Sequence, residues 1–263
     1  MAHTKISFAT GNLININLPG LPVYLDRDDW DEYAYNKKIA WSGFIIRDMP
    51  VEVWGFQQLW HYKSLEDILL FSGLSQHYNL LVPTAHDGGH IVWAAAVWRD
   101  LLVGEPEWVV NFPKKYNVNC EGDDTHASGI SVAIDNFFCP ILYFKILPRS
   151  LGRTISVYLV HFKSKLPTDV FREKWYRDDN EYYSRHRGLT GYALSTIRRI
   201  VEAIALVCSL LKSRPRPIDI DDNNRDSRVN TSNLHLSEGL FCSGLSGKLV
   251  EPNMTVGTSL GLA

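Results

Sequence analysis

Apolar and polar positions alternate over residues 5–9 (KISFA), the period of a half-buried strand, and Gly11 and Asn12 follow as a turn. Two prolines and a glycine mark 18–28 as a loop. The period then changes. Tyr35, Ile39, Gly43 and Ile46 recur on one helical face, which predicts a helix over 31–47. Residues 51–56 (VEVWGF) return to strand character. Ser64 opens an S-L-E-D start that resembles a capping box, Leu65, Ile68, Leu69 and Phe71 follow, and Gly73 stops the helix.

A run of strands comes next, over 79–82, 91–98, 108–112, 130–134, 141–146 and 155–161. The second of them is entered through a turn at Asp87, Gly88 and Gly89. Residues 163–180 are polar and aromatic and read as a loop. Residues 181–212 read as a helix, strongest where Ile197, Ile200, Val201, Ile204, Val207 and Leu211 fall at helical spacing. Pro215 and Pro217 close it, and a short strand over 218–220 leads into Asp221, Asp222, Asn223 and Asn224. Beyond Arg225 the pattern fades, so 1–235 reads as one domain and 236–263 as a diverged or incomplete C-terminal segment. Many strands with a few outer helices predict an α/β architecture of two packed sheets covered by helices.

Composition narrows the function classes. The chain has 263 residues, 45% of them hydrophobic and 21% charged, as in an ordinary soluble domain. A formal net charge of −2 supplies no global attraction to nucleic acid or to an anionic membrane. The four cysteines (Cys120, Cys139, Cys208 and Cys242) include no C-x-x-C pair, which argues against a zinc site or a disulfide framework. No basic-then-apolar leader precedes the first strand, so a cytoplasmic location is expected. The most apolar helical stretch, 200–211, is short and contains Glu202, so it reads as a core helix rather than a membrane span.

Polar residues gather where strands end: Asn12, Gln58, His161 and Asp222. Such ends are where α/β folds carry sites. Each residue also has a bland reading. Asn12 fits an Asx-turn, His161 a structural histidine closing an apolar strand, and Asp222 with Asn224 a solvated turn. The acidic run from Asp219 fails as a calcium loop, since Asn224 and Asn230 stand where Gly and Glu are required. His86 and His90 bracket two glycines, which argues for a turn rather than a helical metal pair. No G-x-S-x-G, P-loop or dinucleotide fingerprint occurs.

Taken in order, the segments ISFATGNL (6–13), VWGFQQLW (53–60), the Gly88-Gly89 hairpin, VHFKSK (160–165), RRIVEA (198–203) and DDNN (221–224) resemble the endonuclease/exonuclease/phosphatase superfamily, the fold of DNase I. That resemblance implies a four-layer sandwich, two packed mixed β-sheets flanked by helices. It implies phosphoester hydrolysis by in-line attack of water, assisted by Mg²⁺ or Mn²⁺. It also assigns roles. Asn12 organises metal and phosphate, position 58 is the metal carboxylate, and His161 contacts phosphate or moves a proton. Asp222 orients or deprotonates the water, and Asn224 holds a phosphate oxygen. The implied substrate is a nucleic acid or a small phosphorylated molecule. Arg172 and Trp175, in a cation- and aromatic-rich stretch, are candidates to grip it, or else that stretch packs on itself.

The chain departs from the family pattern at three points. Gln58 stands where the metal Glu is expected, Asp221 replaces a glycine and is a candidate substitute ligand, and no Asp-His pair follows Asn224. Two function classes therefore remain: a metal-dependent phosphoesterase, and an inactive relative that binds a phosphorylated ligand or a protein. A truncated reading frame is a third explanation of the missing pair. Oligomeric state is not legible.

Overall fold

The computed structural model describes residues 5–23, 30–83, 87–113, 118–120, 130–149, 152–162, 166–212, 239–243 and 260–261. The opening alternation forms β1 (Lys5–Ile6) and β2 (Phe8–Ile16). Rather than turning at Gly11 and Asn12, β2 runs on to Ile16, with its pairing interrupted between Asn12 and Ile16. Helix α1 (Glu32–Asp48) starts where the Asp31 carboxylate accepts the Ala34 N–H at 2.6 Å, and it buries Tyr35, Ile39, Ser42, Gly43 and Ile46 along one face.

Strand β3 (Val53–His61) is five residues longer at its end than the alternation at 51–56 indicates, so Gln58 lies within it. Helix α2 (Tyr62–Ser72) is capped by His61, whose Nδ1 accepts the Lys63 N–H at 3.1 Å. Ser64, expected as the cap, sits inside the helix and is fully buried. The strand stays paired through His61, and the imidazole then takes the orphan donor that Ser64 was expected to satisfy. Gly73 ends the helix in the left-handed region at φ 76°, as the sequence indicates.

The remaining elements are β4 (Tyr78–Leu81), β5 (Asp87–Trp98), β6 (Leu102–Asn111), β7 (Val118–Cys120), β8 (Ile130–Val132), β9 (Asn136–Ile146), β10 (Ile155–Val160), α3 (Lys174–Asp178), α4 (Asn180–Ser184), α5 (Arg187–Lys212), β11 (Gly239–Ser243) and β12 (Leu260–Gly261). Asp87 and Gly88 are thus strand residues rather than a free turn. The stretch at 163–180 holds helical turns as well as loop, because α3 and α4 form within and beside it. The short strand expected at 218–220 lies outside the described residues.

Two four-stranded sheets carry the architecture, in the orders β2-β3-β5-β4 and β11-β10-β9-β6. The first is mixed: β2 and β3 are parallel, and β5 runs antiparallel to both β3 and β4. In the second, β10 is antiparallel to β9 and to β11. Strand β11 emerges from a segment whose pattern is too glycine- and serine-rich to signal it, and β12 pairs antiparallel with β1. The four-layer expectation is met for its two sheets and for the helix layer over the first. Ala9, Leu13, Trp54, Phe56, Ala94 and Ala96 form one sheet face against Tyr35, Ile39 and Ile46 of α1 and Leu65, Ile68 and Leu69 of α2. No described helix is long and apolar enough to cross a membrane.

By compactness the chain divides into two units. The first is 1–109, 140–161 and 237–263, and holds β2 to β5, α1 and α2. The second is 110–139 with 162–236, and holds α3 to α5. Within this second unit the RRIVEA motif has a structural role. Glu202 is 1% exposed, and its Oε1 accepts from Phe138 N at 2.7 Å and from Arg198 Nε at 3.1 Å. Arg198 also donates to Asn136 O and Oδ1 at 3.2 and 3.0 Å. The buried carboxylate is therefore paired and hydrogen-bonded, the condition under which burial is tolerated.

Close approach of α5 to the 166–170 segment depends on Gly191. Its carbonyl accepts the Thr168 N–H at 3.0 Å, while Ser195 Oγ donates to Leu166 O at 2.8 Å. A Cβ on Gly191 would lie 2.4 Å from Thr168 O and 2.9 Å from Pro167 Cβ. Helix propensity favours alanine by about 1 kcal/mol, but the overlap is with backbone and dominates. Gly191→Ala is expected to lose about 2 kcal/mol in urea denaturation. Gly188→Ala, on the same helix with open space around it, is expected to be neutral or stabilising.

Candidate active site

The parallel pairing of β2 with β3 aligns Asn12 with Gln57, so both strands deliver polar residues at the same end of the first unit. Both strands are irregular there. Ile14 and Asn15 have φ of 57° and 58°, and Gln58 has φ 59°. Non-glycine residues rarely adopt this region, and it recurs where a site re-aims a side chain. In β3 the register with β5 shifts on either side of Leu59, a bulge that turns Gln58 away from the regular pleat.

His161 reaches the same end from β10. It directly follows Val160, and its ring lies 4.4 Å from that of Trp93. Trp93 sits in β5 between Val92 and Ala94, which pair with Leu59 and Phe56 on either side of Gln58. The structure therefore brings Asn12, Gln58 and His161 to one end of the first unit. Asp221, Asp222 and Asn224, and His86 and His235, lie outside the described residues.

Asn12 is exposed, and its Oδ1 accepts the Ile14 N–H at 2.8 Å, the Asx-turn that its sequence context allowed. That bond engages the amide carbonyl locally. Gln58 is half-buried and neutral. His161 is partly buried, and burial pushes its imidazole down to about 4, so at pH 7 it is neutral. The site's described side chains are thus uncharged amide and imidazole groups. Among the described residues no group of three His, Cys, Asp or Glu is placed to hold a metal ion.

Three supporting amides were not singled out in the sequence. Gln57 is 4% exposed and donates to Thr10 Oγ1 at 2.6 Å, tying β3 to β2 beside Asn12. Asn15 accepts from two indoles, through its backbone O from Trp30 at 2.8 Å and through Oδ1 from Trp60 at 3.2 Å. Asn17 is fully buried, donating to Pro22 O at 2.9 Å and accepting from Leu18 N at 2.9 Å. Gly88 approaches so closely that a Cβ there would meet Asn17 Oδ1 at 2.8 Å. The available signal was the NLININ repeat of asparagines in an apolar run, since a buried amide requires partners.

Arg172 and Trp175 belong to the second unit. The Arg172 guanidinium stacks over Phe171 at 5.2 Å, and Trp175 meets Tyr183 edge-on at 4.9 Å and Tyr176 at 6.1 Å. Arg187 also covers Phe171 and pairs with Asp169 at 2.7 Å. These side chains stack on one another, and Arg172 and Trp175 are exposed.

No family model matches the chain, and no curated protein does. Solved structures with which it aligns include truncated TDP2 from Caenorhabditis elegans, at 12% identity and TM-score 0.38 over 70% of this chain and 56% of that one. Another is an endonuclease/exonuclease/phosphatase family protein from Bacteroides thetaiotaomicron, at 13% and 0.38 over 71% and 60%. A third is an endonuclease/exonuclease/phosphatase from Bacteroides vulgatus, at 14% and 0.34 over 57% and 50%. The chain spans between 50% and 60% of each of these structures. At such TM-scores these likenesses do not bear on activity or substrate.

The low-lying imidazole has a consequence for acid stability. Unfolded, His161 titrates near 6.5; folded, near 4. The unfolded chain therefore binds the extra proton first as pH falls between these values, and stability is lost across that window. Its size is on the order of 3 kcal/mol. In thermal melts from pH 7 to pH 4, His161→Gln is expected to flatten the decline. An unchanged slope would show that the imidazole is solvated.

Proposed function

We propose that this chain acts on a phosphoester, a nucleic acid or a small phosphorylated molecule, by in-line attack of water. The observation that carries the reading is the arrival of Asn12, Gln58 and His161 at one end of the first unit, from the three motifs expected to supply them. The Asn12 amide presents N–H donors, and a neutral His161 donates a further N–H; both suit a phosphate oxygen that gains charge in the transition state. A neutral imidazole also accepts a proton, so His161 is suited to general-base work as well. In this reading Asp222 orients the water and Asn224 holds a second oxygen.

The described residues do not suit Mg²⁺ or Mn²⁺. A hard dication requires carboxylate oxygens, whereas Asn12 has its carbonyl engaged and Gln58 has no charge. Asp221 and Asp222 are the carboxylates left to such a site.

A second reading, a binding protein without turnover, is favoured by the same neutral Gln58. Hydrolysis of bis(p-nitrophenyl) phosphate, with and without Mg²⁺, Mn²⁺ and EDTA, separates the two. The enzyme reading predicts turnover that His161→Ala lowers at least ~100-fold. Activity gained only by Gln58→Glu with metal identifies a site disabled at one ligand. No turnover in any arm overturns the enzyme reading.

A further inference from the structure

On the helix-covered side of the first sheet a cavity of about 370 Å³ opens between β2, β3 and α1, and it reaches the end of β2, where Asn12 lines it. That volume is at the lower end of ligand pockets, roughly 300–1,000 Å³. Its walls are apolar: Leu13 from β2, and Trp54 and Phe56 from β3, whose rings stack at 5.7 Å with planes 4° apart. Helix α1 contributes Lys38, Trp41 and Ser42. Strand β2 is the edge of its sheet, so no further strand of that sheet flanks the cavity among the described residues.

Thr10 and Asn12 line the cavity at the β2 end, and two polar groups of α1 interrupt its apolar wall. The Ser42 hydroxyl belongs to a residue 6% exposed and has no hydrogen-bond partner. A buried hydroxyl in that state carries a desolvation cost. Lys38 lies four residues earlier and hence on the same helical face. Its ammonium stands 4.8 Å over the Trp41 ring, and no carboxylate pairs with it among the described residues. Burial pushes this amine below its ordinary value, as expected for a cation short of solvent and of a counter-charge. A buried donor without an acceptor and, one helical turn away, a cation without an anion among the described residues, both lining a largely apolar cavity, define one complementary ligand chemistry.

We propose that this cavity binds an amphipathic monocarboxylate, its apolar body against Trp54 and Phe56 and its carboxylate accepting from Lys38 Nζ and Ser42 Oγ. The carboxylate supplies both missing partners, and charge-assisted bonds of this kind are the stronger class. The cavity shares Asn12 with the candidate phosphoester site, but its proposed ligand is held by Lys38 and Ser42, and neither reading requires the other.

The test is calorimetric titration of the whole chain with decanoate, 1-decanol and decylammonium. Decanoate is expected to bind at least about tenfold more tightly than either comparator. Lys38→Met, which keeps the apolar stem of the side chain, is expected to abolish that preference while leaving decanol affinity unchanged. Ser42→Leu, which fills the cavity, is expected to remove binding of all three. Circular dichroism checks the fold of each variant, and if Ser42→Leu misfolds, Lys38→Met alone decides. Absence of decanoate binding up to about 1 mM overturns the proposal. So does equal affinity for decylammonium, or decanoate affinity within about twofold of wild type in Lys38→Met.

Discussion

The parallel pairing of β2 and β3 is the constraint on which the site depends. Parallel strands end on the same side, so residues following the two motifs are neighbours without any loop having to bring them together. The register is held by a part-buried side-chain bond, Gln57 to Thr10, one residue before Gln58 and two before Asn12. Beyond it, three positive-φ residues break the pleat and aim the amides out of the sheet. Such backbone persists only where surrounding contacts over-determine it. The indoles on Asn15 and the embedded Asn17 provide those contacts.

Placed on this frame, the site is uncharged. Trp93 and its neighbours hold His161 in surroundings that disfavour the imidazolium, and Asn12 spends its carbonyl on its own backbone. The side chains left to a ligand are neutral and supply N–H donors, with the Gln58 carbonyl and one imidazole nitrogen as acceptors. Such a surface attracts an oxyanion and offers little to a hard cation. The departure at Gln58 is consistent with this, since a carboxylate there would oppose an anionic ligand.

Much of the fold was legible in the sequence because burial imposes a period. The apolar stripe of α1 and the strand runs of β5, β9 and β10 are long, clean examples. The errors lie where pairing overrode local preference. Ser64 has the chemistry of a cap, but β3 remains paired through His61 and passes the cap to an imidazole. Gly11 and Asn12 have turn chemistry, yet β2 continues because β3 pairs beside it. Strand β11 carries little periodicity, and its pairing with β10 is a long-range fact. At the site, Asn12, Gln58 and His161 were legible from motif order. Gln57, Asn15 and Asn17 were not, because a supporting amide is defined by partners distant in sequence. RRIVEA reads as a motif of the superfamily, and its glutamate and first arginine serve the backbone of the second unit.

The claim that the strand ends form a donor site for an oxyanion is tested most directly by Asn12→Asp. This change keeps shape and the bond from Ile14 N–H while replacing the amide N–H groups with a charged oxygen. Binding of a non-hydrolysable phosphodiester analogue would be measured with EDTA and again with Mg²⁺. The account predicts that Asn12→Asp weakens binding at least about tenfold in both conditions. Tighter, Mg²⁺-dependent binding in the variant would contradict it and identify a cation site short of one carboxylate.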